Sequence, residues 1–496
     1  MPGLIVGIDH GGTTTTAMLL DPGRAPLASA SVPMPKRTPC PDHVEHDAID
    51  FLKTSLGAAR KALDQAGRGW HDVMAIGFAN QGETSMAWST VSDEVFGPAI
   101  SWEDRRTARL CAQLAEREVD KLVRERTGII LDPYFSASKF HWLTHEVDRA
   151  RTARAGGRLR LGGTDSFVID RLTRGSVHAT DPATASRTAL FNIRKRCWDA
   201  DLLAAFDIDR AALPELRNTT GDFGLVCYPG LPERQIRITA DAVDAHAALF
   251  AQGCWDRSSV KATFGTGAFI EVNTGPALVE PDGKLPVFVA WQIDGKLDYT
   301  IEGGVFSVGS AIDWAVRVGL LGSAAESSAL AASVPDSAGV VLVPSFTGMA
   351  APYWVPTARA CLFGLGLDST KAHIARALLD GIAFRCAEVI RALDARLSGS
   401  LRSVRADGGP TRNPYLMQRQ ADLLGMPVAV SEEADMTALG AALLAAIGAG
   451  QLTLDDVRAM PRRTKTYEPH ISPDERAAAW AGWRKSVTVA LERAAS

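Results

Sequence analysis

The segment Leu4-Ile5-Val6-Gly7-Ile8-Asp9-His10-Gly11-Gly12-Thr13-Thr14-Thr15-Thr16-Ala17-Met18-Leu19-Leu20 is an apolar run, a glycine turn with threonines, and a second apolar run. That pattern predicts a β-hairpin. Gly11 and Gly12 can take backbone angles that other residues avoid, and their N–H groups can cradle an anion. Thr13, Thr14 and Thr15 add hydroxyls, and Asp9 at the strand end can hold a cation through water. Taken alone, the stretch reads equally well as a tight turn with solvated threonines and a capping carboxylate. The unit recurs at Val260 to Phe264, Gly265-Thr266-Gly267, and Ala268 to Val272. Two such hairpins far apart predict two related halves rather than a short-period solenoid. A third element is the short strand Ser403–Ala406, broken at Asp407-Gly408-Gly409 before a helix over Asn413–Leu424. Bare backbone there can lie against a nucleotide.

Working outward, the pattern predicts helices over Ala48–Ala66, Arg105–Thr127 and His373–Arg396, and a strand over Val73–Phe78. Ala438 to Ala449 reads as a buried helix, and Asp474–Ala495 as an amphipathic one with Trp480 and Trp483 on its apolar side. Strands and helices mixed in this order predict the α/β class. At 496 residues the chain is too long for one hydrophobic core. It contains no low-complexity linker, so a compact hinge near residue 250 is expected, with units at 1–250 and 251–496. The 53 Lys+Arg against 57 Asp+Glu leave a net charge of −4, which argues against nucleic acid or an anionic membrane as the main partner. No apolar segment reaches spanning length, and Met1-Pro2-Gly3 leads into the hairpin without a basic n-region, so no secretory signal is expected. Seven scattered cysteines, none in C-x-x-C spacing, suit a reducing cytoplasm.

The three glycine elements, in this order, resemble the phosphate-1, phosphate-2 and adenosine motifs of the actin, sugar-kinase and heat-shock ATPase superfold. The detailed resemblance is to the FGGY carbohydrate kinases, and within them to the glycerol-phosphorylating branch. It is carried by Gly77-Phe78-Ala79-Asn80-Gln81-Gly82-Glu83-Thr84, by Trp102-Glu103-Asp104-Arg105-Arg106-Thr107-Ala108, and by Asp132-Pro133-Tyr134-Phe135-Ser136 with Lys139 and Trp142. It continues through Thr180-Asp181, Ala185-Ser186-Arg187-Thr188, Leu190-Phe191-Asn192-Ile193, Ala350-Ala351-Pro352-Tyr353-Trp354 and Thr437-Ala438-Leu439-Gly440-Ala441-Ala442. The resemblance implies a two-lobed actin-like, ribonuclease-H-like α/β fold with its active site in the interlobe cleft. It implies an ATP- and Mg²⁺-dependent kinase that moves the γ-phosphoryl group to a hydroxyl of a small polyol or sugar. Relatives are often dimers or tetramers, which leaves a homodimer or homotetramer open here.

The resemblance also implies residue roles. Asp244, in Val243-Asp244-Ala245-His246, would be the base that takes the hydroxyl proton; a helix N-cap is the plainer use of such an aspartate. Asp9, with Asp244, would hold Mg²⁺ through water. Glu83, Trp102, Tyr134, Asp244 and Phe269 would bind the acceptor, although Trp102 and Phe269 could equally be core aromatics. Gly12, Thr13, Thr14, Thr266, Gly309, Gly409 and Asn413 would contact ATP. The sequence departs from the pattern at four of these places. Gly82 replaces an Arg and Ala245 a Gln on the acceptor side; Asp313 replaces a Gln and Thr16 an Arg on the nucleotide side. The first two changes delete volume and predict a somewhat larger polyol or ketose, with glycerol as the alternative. The loss of a cation at Thr16 keeps open a different class, a catalytically weak homologue with a binding or regulatory role. An ATPase chaperone on the same superfold is disfavoured by Trp102, Tyr134 and Asp244.

Overall fold

The computed structural model describes residues 3–22, 25–232 and 235–495. The opening segment forms the expected hairpin: β1 (Leu4–His10) pairs antiparallel with β2 (Thr14–Leu20), with Asp9 opposite Thr16. Next come β3 (Pro26–Pro33), α1 (Ala48–Gln65), β4 (Val73–Asn80), the short α2 (Pro182–Ser186), β5 (Arg237–Val243) and α3 (Asp244–Ala251). The strands form a five-stranded sheet in the order β5-β4-β1-β2-β3. Strand β1 is parallel to β4, and β4 to β5. Apolar residues fill β1 and β2 on both faces because α1 covers one face and a late helix covers the other.

The second sheet is built from β6 (Ser259–Phe264), β7 (Ala268–Gly275), β8 (Val287–Ile293), β9 (Lys296–Val305), β10 (Ser403–Asp407), β11 (Val428–Ser431) and β12 (Thr464–Tyr467). Its order is β8-β9-β7-β6-β10-β11-β12. Within it, β9-β7-β6-β10-β11 repeats the pairing senses of β3-β2-β1-β4-β5: two antiparallel steps, then two parallel ones. The two hairpins read from sequence are thus the equivalent strand pairs of two sheets with one topology. Helices α4 (Gly309–Arg317), α5 (Lys371–Arg396), α6 (Pro414–Leu424), α7 (Met436–Gly448) and α8 (Pro473–Ala495) complete the frame. Helix α7 lies between β11 and β12 of the second sheet yet packs on β1, β4, β5 and α3, so it ties the halves together. That approach needs glycine: a Cβ on Gly7 would lie 2.1 Å from the Ala438 carbonyl oxygen, and one on Gly440 1.9 Å from that of Ala247.

One expectation changes. The helix predicted over Arg105–Thr127 is two helices, Ala108–Glu116 and Val119–Thr127, because Glu118 adopts φ +60°. The break lets Leu114 and Val123 both reach the core. Trp480 and Trp483 of α8 are buried against Phe384 of α5, as the amphipathic pattern requires. Among the described residues no helix is long and apolar enough to cross a membrane.

Candidate active site

In parallel sheets ligands gather at the carboxyl ends of the strands. Here those ends carry the residues singled out from sequence. Asp9 is the penultimate residue of β1, the Gln81-Gly82-Glu83 turn follows β4 at Asn80, and Asp244 follows β5. In the second sheet Gly265-Thr266-Gly267 follows β6 and Gly408-Gly409 follows β10. Asn80 fixes the turn after β4: its Nδ2 donates to Thr184 Oγ1 (2.9 Å), Asp241 Oδ1 (3.1 Å) and the Ala242 carbonyl (2.8 Å). Its Oδ1 accepts from the Gly82 N–H at 2.7 Å.

Asp9 and Asp244 face the same space. Burial, then Asp244 and Asp435, push the Asp9 carboxyl well above the usual carboxylate range. Burial raises Asp244 too, but Arg187, the Ala245 N–H (2.6 Å) and Lys261 work against that rise. Asp244 is the first residue of α3, whose cap is Val243, so its carboxylate is not spent as an N-cap acceptor. Among the described residues no three His, Cys, Asp or Glu side chains are grouped to hold a metal directly.

The acceptor side has a feature the sequence concealed. The space beside Gly82 is filled by Arg187, placed just past α2 by the Asp181 cap, whose Oδ1 accepts from the Thr184 N–H at 2.7 Å. Arg187 Nη1 donates to Glu83 Oε1 at 2.8 Å, and Nη2 to Glu302 Oε2 at 2.6 Å. Nη2 also lies 3.2 Å from His246 Nε2. Burial, Arg187 and Lys261 hold His246 neutral, so Nε2 accepts and the ring proton sits on Nδ1. The guanidinium carbon is 4.1 Å from the Phe288 ring centre. Burial opposes the charge on Arg187, but Glu302 and Glu83 outweigh it. Arg187 Nε is buried with no hydrogen-bond partner among the described residues. Gly82 sits at φ +71°, and a Cβ there would lie 2.7 Å from Arg187 Cδ. The volume expected to be vacant at Gly82 is therefore occupied. Ala245, by contrast, is half-buried and adds no side-chain donor.

Burial raises Glu83 to about 7 despite Arg187. Lys139 binds the loops of Glu83 and Tyr134 together, donating to the Glu83 carbonyl (3.2 Å) and the Tyr134 carbonyl (2.5 Å), and burial lowers its pKa to about 7. Trp102 meets Tyr134 edge-on at 5.7 Å and stands beside Gly12, where a Cβ would be 4.0 Å from its Nε1. Burial and Glu83 keep the Tyr134 hydroxyl protonated. Phe269, on β7, is 43% exposed and is not a core aromatic.

On the nucleotide side, the Gly309 N–H at the start of α4 donates to the Gly265 carbonyl at 2.9 Å, and a Cβ on Gly309 would lie 2.6 Å from that oxygen. The Thr266 turn and α4 are thereby locked together. Gly408, at φ +97°, passes so close to Phe264 that a Cβ would sit 1.9 Å from its carbonyl oxygen, while one on Gly409 would meet nothing within 4 Å. Gly409 thus presents open backbone. Asn413 caps α6 and donates to Ser327 Oγ at 3.0 Å, so its amide is already engaged. Thr13, Thr14 and Asp313 are exposed. Thr16 is buried and bonded to Ser31 Oγ at 2.9 Å, a hydroxyl pair with no cation. The buried cations that act on Asp244 are Arg187 and Lys261, the latter 1% exposed on β6 and 3.7 Å from Glu271. Sequence reading missed Glu302 and Asp435 altogether, and quoted Arg187 only as part of a motif. Lys261 had a signal: a lone lysine inside the apolar run Val260 to Phe264.

Two sheets of one topology, with glycine turns and facing carboxylates at their carboxyl ends, define a two-lobed actin-like α/β fold built for phosphoryl transfer. The FGGY family of carbohydrate kinases matches with its N-terminal domain over residues 4–251 and its C-terminal domain over residues 260–449. A glycerol kinase of Thermus brockianus is 42% identical over 483 residues, 97% of each chain. One from Citrifermentans bemidjiense is 41% identical over 98% of each chain. The crystal structure of Plasmodium falciparum glycerol kinase with ADP superposes with a TM-score of 0.92 at 28% identity, covering 98% of both chains. The chain belongs to the FGGY family of carbohydrate kinases. It is an ATP-dependent phosphotransferase with an alcohol group as acceptor.

Proposed function

We propose that this glycerol-kinase-like enzyme phosphorylates a small polyol, with glycerol as the favoured acceptor. The observation that carries the reading is the donor–acceptor pair beside Gly82. Arg187 offers a buried, unpartnered Nε–H, and Glu83 stands next to it with one carboxylate oxygen already oriented by Arg187. A hydroxyl that accepts from Nε and donates to Glu83 would satisfy both; leaving such a buried donor unmatched costs about 1–3 kcal/mol. Arg187 thereby does from α2 what the Arg expected at Gly82 would have done. Trp102 and Tyr134 form an edge-on aromatic corner suited to a carbon backbone, and the exposed Phe269 of β7 would close the site from the other lobe.

In this reading Asp244 takes the proton of the attacking hydroxyl. Arg187 and Lys261 favour its charged form, which keeps it able to accept. Asp9 and Asp244 fit a cation between them, because Asp244 raises the cost of ionising the buried Asp9. Mg²⁺ there would neutralise phosphate charge and, held by few protein oxygens, would keep several waters. Gly12, Thr13 and Thr14 would meet the phosphates from one lobe, Thr266 and Gly309 from the other, with Gly409 and Asn413 at the adenosine. The units 1–250 and 251–496 would hinge between α3 and β6. The free thiols of all seven cysteines suit a cytoplasmic enzyme.

One observation favours a second reading. Ala245 leaves one side of the acceptor site without a side-chain hydrogen bond, which a four- or five-carbon polyol or ketose could fill. Coupled ADP release over glycerol and a panel of such acceptors decides between them. The glycerol reading expects the highest kcat/KM for glycerol; a longer acceptor that exceeds it by about tenfold or more would overturn it.

A further inference from the structure

Away from the interlobe cleft, a cavity of about 890 Å³ lies where α3, α7, β10 and the end of β2 meet. That volume is within the range of small-molecule sites. Its wall is mostly apolar, with Leu20, Met436, Leu439, Leu443 and Leu452. Three arginines also line it: Arg405 of β10, and Arg462 and the exposed Arg463 of the segment before β12.

The charge of Arg405 and Arg462 is not neutralised. Neither forms an ion pair with a carboxylate among the described residues, although both are half-buried. Among the described residues the Arg405 side chain makes no hydrogen bond, and its Nε is buried without a partner. Its register neighbour on β6 is Lys261, another cation. Arg462 donates only to carbonyls, those of Ala251 (2.8 Å), Met460 (3.0 Å) and Val457 (3.4 Å), and stacks on Trp255 at 4.5 Å. Burial and the nearby Arg405 both lower its pKa, as expected of like charges held together. Capping the carboxyl end of α3 accounts for Arg462. It does not account for Arg405, a side chain in the middle of a sheet with no hydrogen-bond partner among the described residues. The carboxylates on the wall are turned to other uses or outward. Asp456 caps a helix through the Thr453 N–H and hydroxyl, Glu433 accepts from the Ala434 N–H, and Glu432 is exposed.

Paired guanidiniums without a carboxylate are suited to a phosphate, which Arg405 can meet with two parallel N–H donors and Arg462 with the Nη hydrogens its carbonyl contacts leave over. The apolar wall suits a hydrocarbon or aromatic body. We propose that this cavity is a binding site for a small phosphomonoester with an apolar body, its phosphate held by Arg405 and Arg462 and its body against Leu439 and Leu443. The site is separate from the catalytic cleft, yet Gln252 on its wall donates to Asp407 Oδ2 at 2.8 Å, directly before Gly408-Gly409.

The test is calorimetric titration of the full-length enzyme with phenyl phosphate, with saturating ADP and glycerol present to fill the cleft. The expected result is one site, weakened at least tenfold by Arg405→Gln and by Arg462→Gln. Inorganic phosphate should bind at least tenfold more weakly than phenyl phosphate, because it lacks the body. Arg405→Lys, which keeps a cation, should bind more tightly than Arg405→Gln and guards against a folding artefact. The proposal is overturned if wild-type enzyme shows no heat up to about 10 mM, or if both Gln variants bind as wild type. Equal binding of phosphate and phenyl phosphate would overturn the apolar class of ligand, and equal loss in Arg405→Lys and Arg405→Gln, with both melting early, would make Arg405 structural.

Discussion

Gly82→Ala is the sharpest perturbation of the acceptor site, because one methyl group challenges two features at once. Gly82 lies at φ +71°, so any Cβ there costs about 1–2 kcal/mol in backbone energy. The methyl would also lie 2.7 Å from Arg187 Cδ, a distance that real Cβ atoms do not tolerate. Arg187 is the flexible partner and has to yield. Its guanidinium, however, is held at 2.8 Å by Glu83 and 2.6 Å by Glu302. Moving it strains or breaks charge-assisted hydrogen bonds worth about 1.5–3 kcal/mol each. Losing about one such bond to the acceptor corresponds to roughly a 10–100-fold rise in KM for glycerol. Gly67→Ala separates the two effects. Gly67 has φ +64°, and a Cβ there meets nothing within 4 Å. It should lose about the same 1–2 kcal/mol of stability and leave the kinetics unchanged. The assays are thermal melting and steady-state ADP release for both variants. A folded Gly82→Ala enzyme with KM within twofold of wild type would refute the placing of Arg187 in the acceptor site.

Three further outcomes follow from the same geometry. Asp244→Asn should retain ADP binding and the fold while turnover falls by about 10²–10⁴-fold, the usual worth of a positioned base; near wild-type turnover would remove Asp244 from that role. Glu83 titrates near 7 because burial raises it, so it is protonated below neutrality and unable to serve as a full acceptor. Accordingly kcat/KM for the polyol should rise from pH 6 to 8, and Glu83→Gln should flatten that limb at a lower level. The linked stability has the opposite sign: the raised carboxyl favours folding fully below its ordinary value of 4.5, and this contribution is lost as pH rises through about 7, seen as a lower melting temperature in wild type than in Glu83→Gln at pH 8 relative to pH 5. Glycerol with a non-hydrolysable ATP analogue should shrink the radius of gyration in small-angle scattering more than the analogue alone, since the proposed nucleotide contacts come from both sheets and closure excludes water; no change with both ligands bound would count against a closing cleft.

The parts that were legible in the sequence are those written within a few residues. The hairpin of β1 and β2 needed only two apolar runs and a glycine turn. Asp407-Gly408-Gly409 declared itself because Gly408 must bring bare backbone against Phe264. The split at Glu118 was hidden: nothing in its residue type demands φ +60°, and the bend exists so that Leu114 and Val123 can pack. At Thr16 the absence of a cation could be read from the sequence, but not its consequence, a buried hydroxyl pair with Ser31 opposite Asp9.

Gly82 and Arg187 show why the acceptor site resists reading one position at a time. From sequence, a glycine in place of an arginine removes a charge and opens a void, and a larger acceptor follows. The glycine does lose the side chain, but its missing Cβ is what admits Arg187 from 105 residues away along the chain, as the Glu83 contact across 104 residues attests. The charge stays; only its origin moves from the turn after β4 to the end of α2. The route matters for function, because from α2 the guanidinium can also reach Glu302 on β9 of the other sheet. An arginine rooted at position 82 would compete with Arg187 for the same space. Gly82→Arg in the otherwise native chain should therefore impair glycerol phosphorylation rather than improve it, and the double variant Gly82→Arg with Arg187→Ala should recover part of the loss. A single Gly82→Arg enzyme with a lower KM for glycerol than wild type would show that the two arginines share the site instead of exchanging it.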